Sequence, residues 1–507
     1  MKKDIDDFVV IGSGFGGSIP AQKLVKAGYS VTLLERGPWR NSLPVKSMGI
    51  SDRASYPHGW KLYSHVLRTF HAGYMPKKGM TVNKYGLFEA FHHKGLITAC
   101  TSGVGGGSHA YSGLHQRATV PNFWDGYAEG LSDETMERHY VEVMEKFASR
   151  KKTPEDKVPN TTAELFADSE LFTDKNNHDE PANGIQFPET PGQPKIVNTE
   201  AGVQRWESSY DDDSFLGSPS GAKSSLDFIY LAEAIKDGLV VKDLCQVTSI
   251  NRIENGEGTL YCVKVMDLAN SIEREFYSRK VILAAGALNT NKLLFHSRDV
   301  AKGLSGMPQL GKNIGTNGDH GGYWALQDEG KDYSKGLPIH GPIGIKGEED
   351  TYTIACGIPG LQHVPLPASI KTKLSEGVIL AGMGQDACDG VASYKQGRLS
   401  IDYDASNSKI FDDINRCMDI AEQKSAKKIY RLPINFTVHT CGGAHLGSSI
   451  ESGVINAEGE VFDNPGLYVT DGAALPASPG GPPSMPIAAW ASHVAEGIIS
   501  RGEAGKR

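Results

Sequence analysis

The chain has 507 residues, a formal net charge of −8 and seven cysteines, none of them in C-x-x-C spacing. The interspersed acidic and basic residues argue against nucleic-acid binding, and the cysteine spacing argues against a zinc or disulfide framework. The sequence has no run of about 18 uninterrupted apolar residues, so no transmembrane helix is predicted. The length indicates about two to three domains.

The start of the chain bears on its location. The first strand begins within seven residues, and no signal-peptide apolar region precedes it. A cytoplasmic protein is therefore the expectation, and a secreted mature form whose signal has been removed is the alternative. The charge pattern favours a small, apolar substrate over a nucleic acid.

The first predicted element is a complete β–α–β unit in residues 7–36. A short apolar run, Phe8–Ile11, predicts a buried parallel strand, and three glycines in G-x-G-x-x-G spacing follow it: Gly12, Gly14 and Gly17. This spacing predicts a tight turn, close approach of the backbone to a pyrophosphate, and close packing of helix on strand. A helix ending at Gly28 and a second strand ending at Glu35 complete the unit, with Glu35 expected to bind ribose hydroxyls. Dinucleotide binding is the resulting hypothesis.

Residues 38–96 are rich in aromatic residues, histidine and proline and show no sustained periodicity. They are expected to form an ordered covering that packs over the nucleotide-binding unit. The neighbouring His92 and His93 are not expected to bind a metal, because adjacent residues rarely face one centre.

A second glycine cluster lies at 101–113, with four glycines in the five positions 103–107. A backbone with so few side chains indicates that the chain passes beside a flat ring or a phosphate, where a Cβ atom would collide. A mobile loop is the alternative, although the apolar residues in the segment make it a poor flexible linker. His109 and Tyr111 are then expected to lie beside the ligand.

The middle of the chain divides into three sections. Polar residues dominate 151–225, which is predicted to be loop-rich surface that includes a candidate lid. A helix is predicted next, at 226–237. Strands follow at 239–241, 245–252, 260–267 and 273–277, with a turn at 255–258, and a strand–turn–helix unit follows at 280–297. Short strand candidates then alternate with Gly and Pro turns, at 352–358, 377–382 and 398–403, before a helix at 410–428. This last section predicts a substrate domain built on an antiparallel sheet.

The end of the chain carries three further features. His439 precedes a glycine turn, a strand ends at Asp471, and a helix at 484–499 has Pro486 in its first turn. A helix that begins there can aim its positive end at an electron-rich ring.

These motifs together resemble the glucose-methanol-choline (GMC) oxidoreductase family, and within it the bacterial cholesterol oxidase branch. The resemblance covers most of the chain, and its motifs are, in order, VVIGSGFGG (9–17), Glu35, GVGGGS (103–108), Ser225-Leu-Asp with Tyr230, CQVTSI (245–250), LAAGALNTNKLL (283–294), HTCGGAHLG (439–447) and LYVTDGAALPAS (467–478). Each motif is modest alone, and their joint order is specific.

The resemblance implies an α/β fold with a Rossmann-like FAD-binding domain (GMC/PHBH-like). A discontinuous substrate domain, built on a mixed or antiparallel β-sheet flanked by helices, is expected beside it. The FAD-binding domain is assigned to 1–45, 95–125, 220–320 and 435–507. The substrate-binding and covering domain is assigned to 46–94, 126–219 and 321–434.

The family binds FAD, and the resemblance implies FAD here, held non-covalently. The positions that match the nucleotide site are Gly12, Ser13, Gly14, Phe15, Gly17, Glu35 and Arg36. Those that match the flavin loop are Gly105, Gly106, Gly107, Ser108 and His109. Further cofactor contacts are expected at Val247, the adenine-holding position, and at Ala285, Gly286, Asp471, Gly472, Pro483, Ser484 and Met485. A covalent link at His109 is the alternative, although family members with that link carry the histidine one position later. No metal is expected.

Family members oxidise alcohols by hydride transfer to flavin N5, while a histidine manages the hydroxyl proton. His439 matches that histidine by motif, and imidazole suits the task because its unperturbed pKa of about 6.5 lets it accept a proton near neutral pH. A hydrogen-bonded structural histidine is the alternative.

Three positions depart from the family pattern. Pro482 stands at the second catalytic position, where the family usually has Asn or His, and proline has no side-chain donor or acceptor. Thr353 stands nearest to the acidic residue that the cholesterol oxidase branch takes from its substrate sheet, and Tyr111 replaces an Asn. Tyr111, His320 and His445 are the candidates for the missing polar group.

The expected function is oxidation of a secondary or ring alcohol of a fairly apolar small molecule, with His439 as base and oxygen or another redox acceptor as the second substrate. A flavin-dependent isomerase, in which hydride leaves and returns, is the alternative. A non-catalytic flavoprotein is the third hypothesis. The oligomeric state and the choice between oxidase and dehydrogenase stay open.

Overall fold

The computed structural model describes residues 5–77, 79–166, 180–211, 213–255 and 258–504. A seven-stranded sheet, called here the nucleotide sheet, forms its base. Six strands lie side by side in the order Val240–Lys242, Val31–Leu34, Ile5–Ile11, Ile272–Leu283, Gly258–Asp267 and Cys245–Asn255. The seventh, Leu467–Val469, pairs with Ile272–Leu283. The predicted β–α–β unit is the centre of this sheet.

The strand Ile272–Leu283 corrects one prediction. Two separate strands were expected, at 273–277 and from 280, but the structure has one. Its first half pairs antiparallel with Gly258–Asp267 and its second half parallel with Ile5–Ile11 and Leu467–Val469. The chain stays extended while it changes partners, so no turn is needed. Residues 256–257 of the predicted 255–258 turn lie outside the described residues.

Three helices pack together beside this sheet. Phe15–Lys26 and Asp133–Lys146 both contact the long C-terminal helix Ser484–Ala504. That helix approaches its neighbours closely because small buried residues line it: Ala488, Ala489, Ala491 and Ala495. It extends five residues beyond the predicted end at Ile499. The predicted helix at 226–237 is two helices, Leu226–Ile229 and Leu231–Lys236.

A second sheet, the chamber sheet, is antiparallel throughout, as the sequence predicts. Its strands lie in the order Ile339–Ile343, Thr353–Cys356, Val378–Gly382, His320–Trp324 and Ile429–Arg431. Helix Ile410–Ser425 covers one face, where Ile414 packs against Gly382. The strand candidate at 398–403 does not join this sheet. It forms a hairpin, Val391–Lys395 with Arg398–Asp402, because Gln396 and Gly397 both adopt positive φ and close a tight turn.

A third sheet, the flanking sheet, lies largely in the segment where no periodicity is visible. Its strands are Asn435–Thr437, Leu96–Thr101, Phe88–His93, Leu67–His71 and Met80–Thr81. In Phe88–His93 the buried residues do alternate, but two of the three are polar: Glu89, Phe91 and His93. Hydrophobic periodicity is absent because buried charge occupies positions that apolar residues usually take.

The remaining elements are short. Helices lie at Leu43–Ser47, Leu62–His65, Thr162–Leu165, Ala287–Phe295 and Ala368–Ser375, and strands at Leu114–His115, Ala182–Asn183, Ile196–Asn198, Gln204–Trp206, Lys312–Gly315 and Cys441–Gly443. Among the helices of the described residues, none is long and apolar enough to span a membrane. The predicted domain boundaries stay a prediction; the flanking sheet draws strands from both sides of one of them, at 94/95.

Packing at the start of helix Phe15–Lys26 gives a testable prediction. A Cβ atom at position 17 would lie 1.9 Å from the carbonyl oxygen of Gly12. Gly17→Ala is therefore expected to destabilise the protein by about 1–3 kcal/mol or more, the usual range for overpacking. The matched control is Gly73→Ala, because Gly73 has nothing within 4 Å of the added atom. Equal urea midpoints for the two variants would contradict the predicted close packing.

Candidate active site

A cavity of about 1320 Å³ lies at the carboxyl ends of the nucleotide-sheet strands and extends to the chamber sheet. Ile11, Leu34 and Ala284 border it where their strands end. In parallel α/β sheets this edge is where ligands bind. The cavity is therefore the candidate active site.

The three glycines of the first turn have different surroundings. A Cβ atom on Gly12 would lie 2.1 Å from Ala284 O, and one on Gly17 would meet Gly12 O, so packing within the protein requires both glycines. A Cβ atom on Gly14 would meet nothing closer than 4.0 Å, and Gly14 lines the cavity at the start of helix Phe15–Lys26. The helix N-terminus thus presents bare backbone to the cavity, a geometry suited to a phosphate.

Glu35 lines the same cavity and is held rigidly. Its carboxylate accepts hydrogen bonds from Gly37 N at 2.7 Å, Ser13 Oγ at 2.7 Å and Ser13 N at 3.1 Å. Next to it, Arg36 forms an ion pair with Glu89 at 2.6 Å. An oriented carboxylate at the end of the second strand suits the binding of ribose hydroxyls.

Asp471 joins two strand ends at the cavity wall. Its carboxylate accepts from Gly286 N at 2.8 Å, Ala473 N at 2.9 Å and Thr290 Oγ1 at 2.5 Å. Burial raises the pKa of Asp471 to about 6, although these hydrogen bonds oppose the rise. Thr290 is a partner that sequence patterns do not reveal.

His439 lines the cavity and is oriented by a carboxylate. Its Nδ1 lies 2.8 Å from Asp319 Oδ1, and its Nε2 makes no hydrogen bond within the described residues. Thr437 Oγ1 donates to Asp319 Oδ2 at 2.6 Å and accepts from His439 N at 2.8 Å. With the Nδ1 proton donated to Asp319, Nε2 is the nitrogen left to accept a proton.

Asp319 is the functional residue that sequence reasoning missed. It lies 120 positions before His439 in the chain. No spacing motif links the two residues, and Asp319 follows an Asn-Gly pair that reads as an ordinary turn. Only the folded chain brings them together.

The candidates for the missing polar group occupy different places. Pro482 and Tyr111 both line the cavity. The Tyr111 hydroxyl already donates to Ser224 O at 2.5 Å and lies 3.2 Å from His115 Nε2. His445 is buried away from the cavity lining, with its Nε2 at 3.2 Å from Ser452 O.

Alternation along the chamber sheet places Thr353 and His320 on the same face of the sheet, and of the two only His320, at the end of its strand, borders the cavity. Thr353 pairs with Gly382, which pairs with His320, so all three share one face. That face meets helix Ile410–Ser425: His320 Nε2 donates to Asn415 Oδ1 at 3.2 Å, and Thr353 donates to Ile343 O. The opposite face lines the cavity with the apolar residues Ile354, Cys356, Ile379, Ala381 and Met383, and with Tyr323 and Tyr430 toward the edge of the sheet.

Five predicted cofactor-binding residues lie behind the cavity lining: Gly17, Gly105, Ser108, His109 and Met485. Both ring nitrogens of His109 are engaged, Nε2 with Val104 O at 2.5 Å and Nδ1 with the Tyr56 hydroxyl at 3.1 Å. Burial lowers the pKa of His109 to about 3. The remaining assigned residues border the cavity: Gly12, Ser13, Gly14, Phe15, Glu35, Arg36, Gly106, Gly107, Val247, Ala285, Gly286, Asp471, Gly472, Pro483 and Ser484. Their roles toward a cofactor stay predictions.

The residues present fit a dinucleotide with a flat ring. Gly14 and Gly107 border the cavity and have no protein atom closer than 3.9 Å to an added Cβ, so their bare backbone leaves room for a ligand. Glu35 and the flavin-loop glycines Gly106 and Gly107 both border the cavity, and the Ser13 hydroxyl links Glu35 to that loop. Across the described residues, no cluster of three His, Cys, Asp or Glu side chains is arranged to hold a metal.

Comparison with known proteins agrees with this geometry. A cholesterol oxidase from Mycobacterium tuberculosis is 25% identical in an alignment covering 100% of this chain and 93% of the relative. A pyridoxine 4-oxidase from Mesorbium loti has a similar solved structure, with a TM-score of 0.62, 16% identity and coverage of 98% of this chain and 99% of that one. A fungal aryl-alcohol oxidase gives a TM-score of 0.57 at 14% identity, with coverage of 99% and 100%.

Two family models, both described as GMC oxidoreductase, match residues 78–317 and 396–491, more than half of the chain together. The chain belongs to the GMC oxidoreductase family. It is an oxidoreductase of the class that acts on CH–OH groups, in a family of flavoproteins that typically use FAD. The family, the fold class and the enzyme class that the sequence predicts are thereby confirmed.

A buried carboxyl beneath the flavin loop makes stability depend on pH. Asp227 Oδ1 accepts from Ser225 Oγ at 2.5 Å, while Oδ2 has no partner among the described residues. Burial raises the pKa of Asp227 from 3.8 to about 7. Because the unfolded chain ionises at lower pH than the folded one, the native state loses stability as pH rises through this window.

The prediction compares wild type with Asp227→Asn, which cannot ionise at this position. Between about pH 4 and pH 7 the free energy of unfolding of the wild type should fall by a few kcal/mol relative to the variant, at about 1.4 kcal/mol per pKa unit. Above the folded pKa the difference should level off. Urea unfolding at several pH values measures it, and parallel pH profiles would rule out a buried, ionising Asp227.

Proposed function

We propose that the protein is an FAD-dependent oxidoreductase that oxidises a secondary or ring alcohol of a fairly apolar small molecule, with His439 as the base and FAD held non-covalently. The observation that carries the proposal is the His439–Asp319 pair in a cavity that also contains both glycine turns. Relatives named as cholesterol oxidase, pyridoxine 4-oxidase and aryl-alcohol oxidase support an alcohol as the substrate.

We assign the transfer of the alcohol's hydroxyl proton to His439. Asp319 accepts the Nδ1 proton at 2.8 Å and so fixes the tautomer in which Nε2 carries the free electron pair. Thr437 holds Asp319 in turn, which limits rotation of the carboxylate. His439 Nε2 then takes the hydroxyl proton of the alcohol as the C–H bond breaks and the C=O bond forms. When bound, FAD supplies the acceptor for the hydride.

The chamber sheet supplies the surface for the rest of the substrate. Ile354, Ile379, Ala381 and Met383 line this part of the cavity, with Phe215 from the loop that faces them. Burying an apolar body against such a wall is favourable by about 25 cal/mol per Å². The same wall excludes water, which strengthens the hydrogen bonds made to the reacting oxygen.

Residues of the nucleotide sheet are assigned to hold FAD. Gly14 and the helix N-terminus behind it suit the pyrophosphate, and Glu35 suits the ribose hydroxyls. Asp471 and Gly472 are assigned to the ribityl chain and Val247 to the adenine. Non-covalent binding is supported by His109, whose two ring nitrogens are already engaged with Val104 and Tyr56.

A redox-neutral isomerase is the second candidate. The specific observation in its favour is Pro482, which lines the same cavity as His439 and brings no side-chain donor or acceptor to it. An isomerase would return the hydride to the substrate, so the flavin would show no net reduction.

The function is tested by mixing the purified protein anaerobically with benzyl alcohol, cyclohexanol or cholesterol. The protein is expected to be yellow with one FAD per chain, released by denaturation, and at least one alcohol should bleach the flavin. Product formation without bleaching would favour the isomerase instead. Colourless protein that cannot be reconstituted with FAD would contradict both candidates. Oxygen consumption after mixing then distinguishes an oxidase from a dehydrogenase.

The role of His439 is tested by single-turnover flavin reduction. His439→Gln should slow reduction by about 10² to 10⁴ while FAD stays bound, the usual range for removing a positioned base. Asp319→Asn should slow it by about tenfold or more, because the tautomer is no longer fixed. His92→Gln is the control, since His92 is exposed on the flanking sheet. A His439→Gln rate equal to that of the control would exclude His439 as the base.

A further inference from the structure

The exposed side chains of the cavity lining show where the cavity opens to solvent. Within the described residues they form two groups of four, and the two groups differ in chemistry. The members of the first group are polar or charged: Lys77, Thr248, Glu273 and Gln396. The members of the second group are apolar or aromatic, with exposed fractions of 61%, 46%, 39% and 49%: Tyr430, Leu432, Phe436 and Val438.

The polar group lies at the nucleotide end of the cavity. Thr248 follows Val247, the residue assigned to the adenine, and Glu273 lies on another strand of the same sheet. Lys77 lies beside the hairpin turn, where its Cβ is 3.9 Å from a Cβ atom added to Gly397. Polar side chains suit the hydrophilic half of a dinucleotide, so the proposed cofactor explains this opening.

The apolar group lies between the edges of two sheets. Strand Ile429–Arg431 is the outer strand of the chamber sheet, and Asn435–Thr437 is the outer strand of the flanking sheet. The chain passes directly from one strand to the other and then to His439, the proposed base. Large apolar side chains exposed together are unfavourable in water and indicate a ligand that covers them.

The cavity face of the chamber sheet continues into this apolar opening. Cross-strand pairing places five residues of the cavity lining in one row: Ile339, Cys356, Ile379, Tyr323 and Tyr430. Neighbouring strands are about 4.8 Å apart, so the row is roughly 19 Å long. Its exposed fraction is 5% at Ile339 and 61% at Tyr430. A row of apolar and aromatic side chains therefore leads from the interior of the cavity to the opening.

We propose that the apolar opening is the substrate entrance, and that the Tyr430 ring binds the end of the substrate's apolar body that lies away from the reacting carbon. This inference rests on the proposed function and adds a substrate class to it, namely alcohols whose apolar body is long enough to reach the edge of the chamber sheet. The alcohol group meets His439, and the body extends over Tyr323 to Tyr430. Tyr430 then selects substrates by length, because only a long body removes its exposed ring from water.

The test compares 4-methylcyclohexanone with 4-pentylcyclohexanone, which have the ring of a cyclic substrate but no hydroxyl group to oxidise. Isothermal titration calorimetry of the protein as purified measures their binding without turnover. The wild type should bind the pentyl compound about tenfold to a hundredfold more tightly, because each CH₂ group that is buried raises affinity by about fourfold at most. Tyr430→Ser should bind the pentyl compound about tenfold more weakly than the wild type does, and the methyl compound within about twofold.

Three further variants serve as comparisons. Tyr430→Phe keeps the ring and should match the wild type within about twofold for both ketones. Leu432→Ser removes a second side chain of the entrance and should show the same dependence on chain length as Tyr430→Ser. Ile272→Ser is the control and should bind both ketones as the wild type does, because Ile272 is 45% exposed on the nucleotide sheet and does not line the cavity.

The outcomes separate this inference from the proposed function, which is judged by flavin reduction. An equal loss for both ketones in Tyr430→Ser, or no loss for the pentyl compound, overturns the proposal, and so does a wild type that binds neither ketone. If no alcohol reduces the flavin but the ketones bind with the expected pattern, the proposed function fails and the entrance stands. If alcohols reduce the flavin while Tyr430→Ser binds both ketones as the wild type does, the function stands and the entrance is refuted.

Discussion

The site depends on one close contact between two glycine-rich backbones. A Cβ atom on Gly106 would lie 2.6 Å from Gly14 Cα, so the loop that carries Gly106 rests directly on the first turn of the nucleotide sheet. The Ser13 hydroxyl joins the two, since it donates to Glu35 at 2.7 Å and accepts from Gly105 N at 3.0 Å. Any larger residue at Gly106 would push the segments apart. Because they touch, one cavity has bare backbone on both sides and an oriented carboxylate at its edge.

The sequence predicts the glycine-rich part of the cavity lining better than it predicts the residues proposed to act on a substrate. The β–α–β unit is local, so the glycine spacing and Glu35 appear within thirty residues and follow from helix and strand geometry alone. The His439–Asp319 pair joins positions 120 residues apart, and Asp319 sits in an ordinary turn sequence. The pair depends on how the chamber-sheet strand His320–Trp324 packs beside the flanking-sheet strand Asn435–Thr437, and a pattern in one sequence holds no record of that packing.

Buried charge explains why hydrophobic periodicity does not reveal the strands of the flanking sheet. Glu89 occupies an inward position, where it binds Arg36 at 2.6 Å and His71 at 2.7 Å. Burial alone would raise the pKa of Glu89, yet these two partners hold it well below its ordinary value. Removing one partner of such a pair typically costs about 3–5 kcal/mol, because the other charge is left buried. The strand is therefore specified by pairing rather than by hydrophobic alternation, and Arg36 is fixed at the cavity wall as a result.

The chamber sheet shows how strand register decides which chemistry reaches the substrate. Side chains alternate between faces, so Ile354 and Ala381 face the cavity while Thr353 and His320 face the helix. A slip of one residue would exchange these sets and bring a hydroxyl and an imidazole into the substrate space. The observed register keeps Ile354, Ile379 and Ala381 on the cavity side. Under the proposed function, we expect the polar contacts to the reacting oxygen to come from the chain segment that carries His439, and the sheet to select substrates by shape and apolar area.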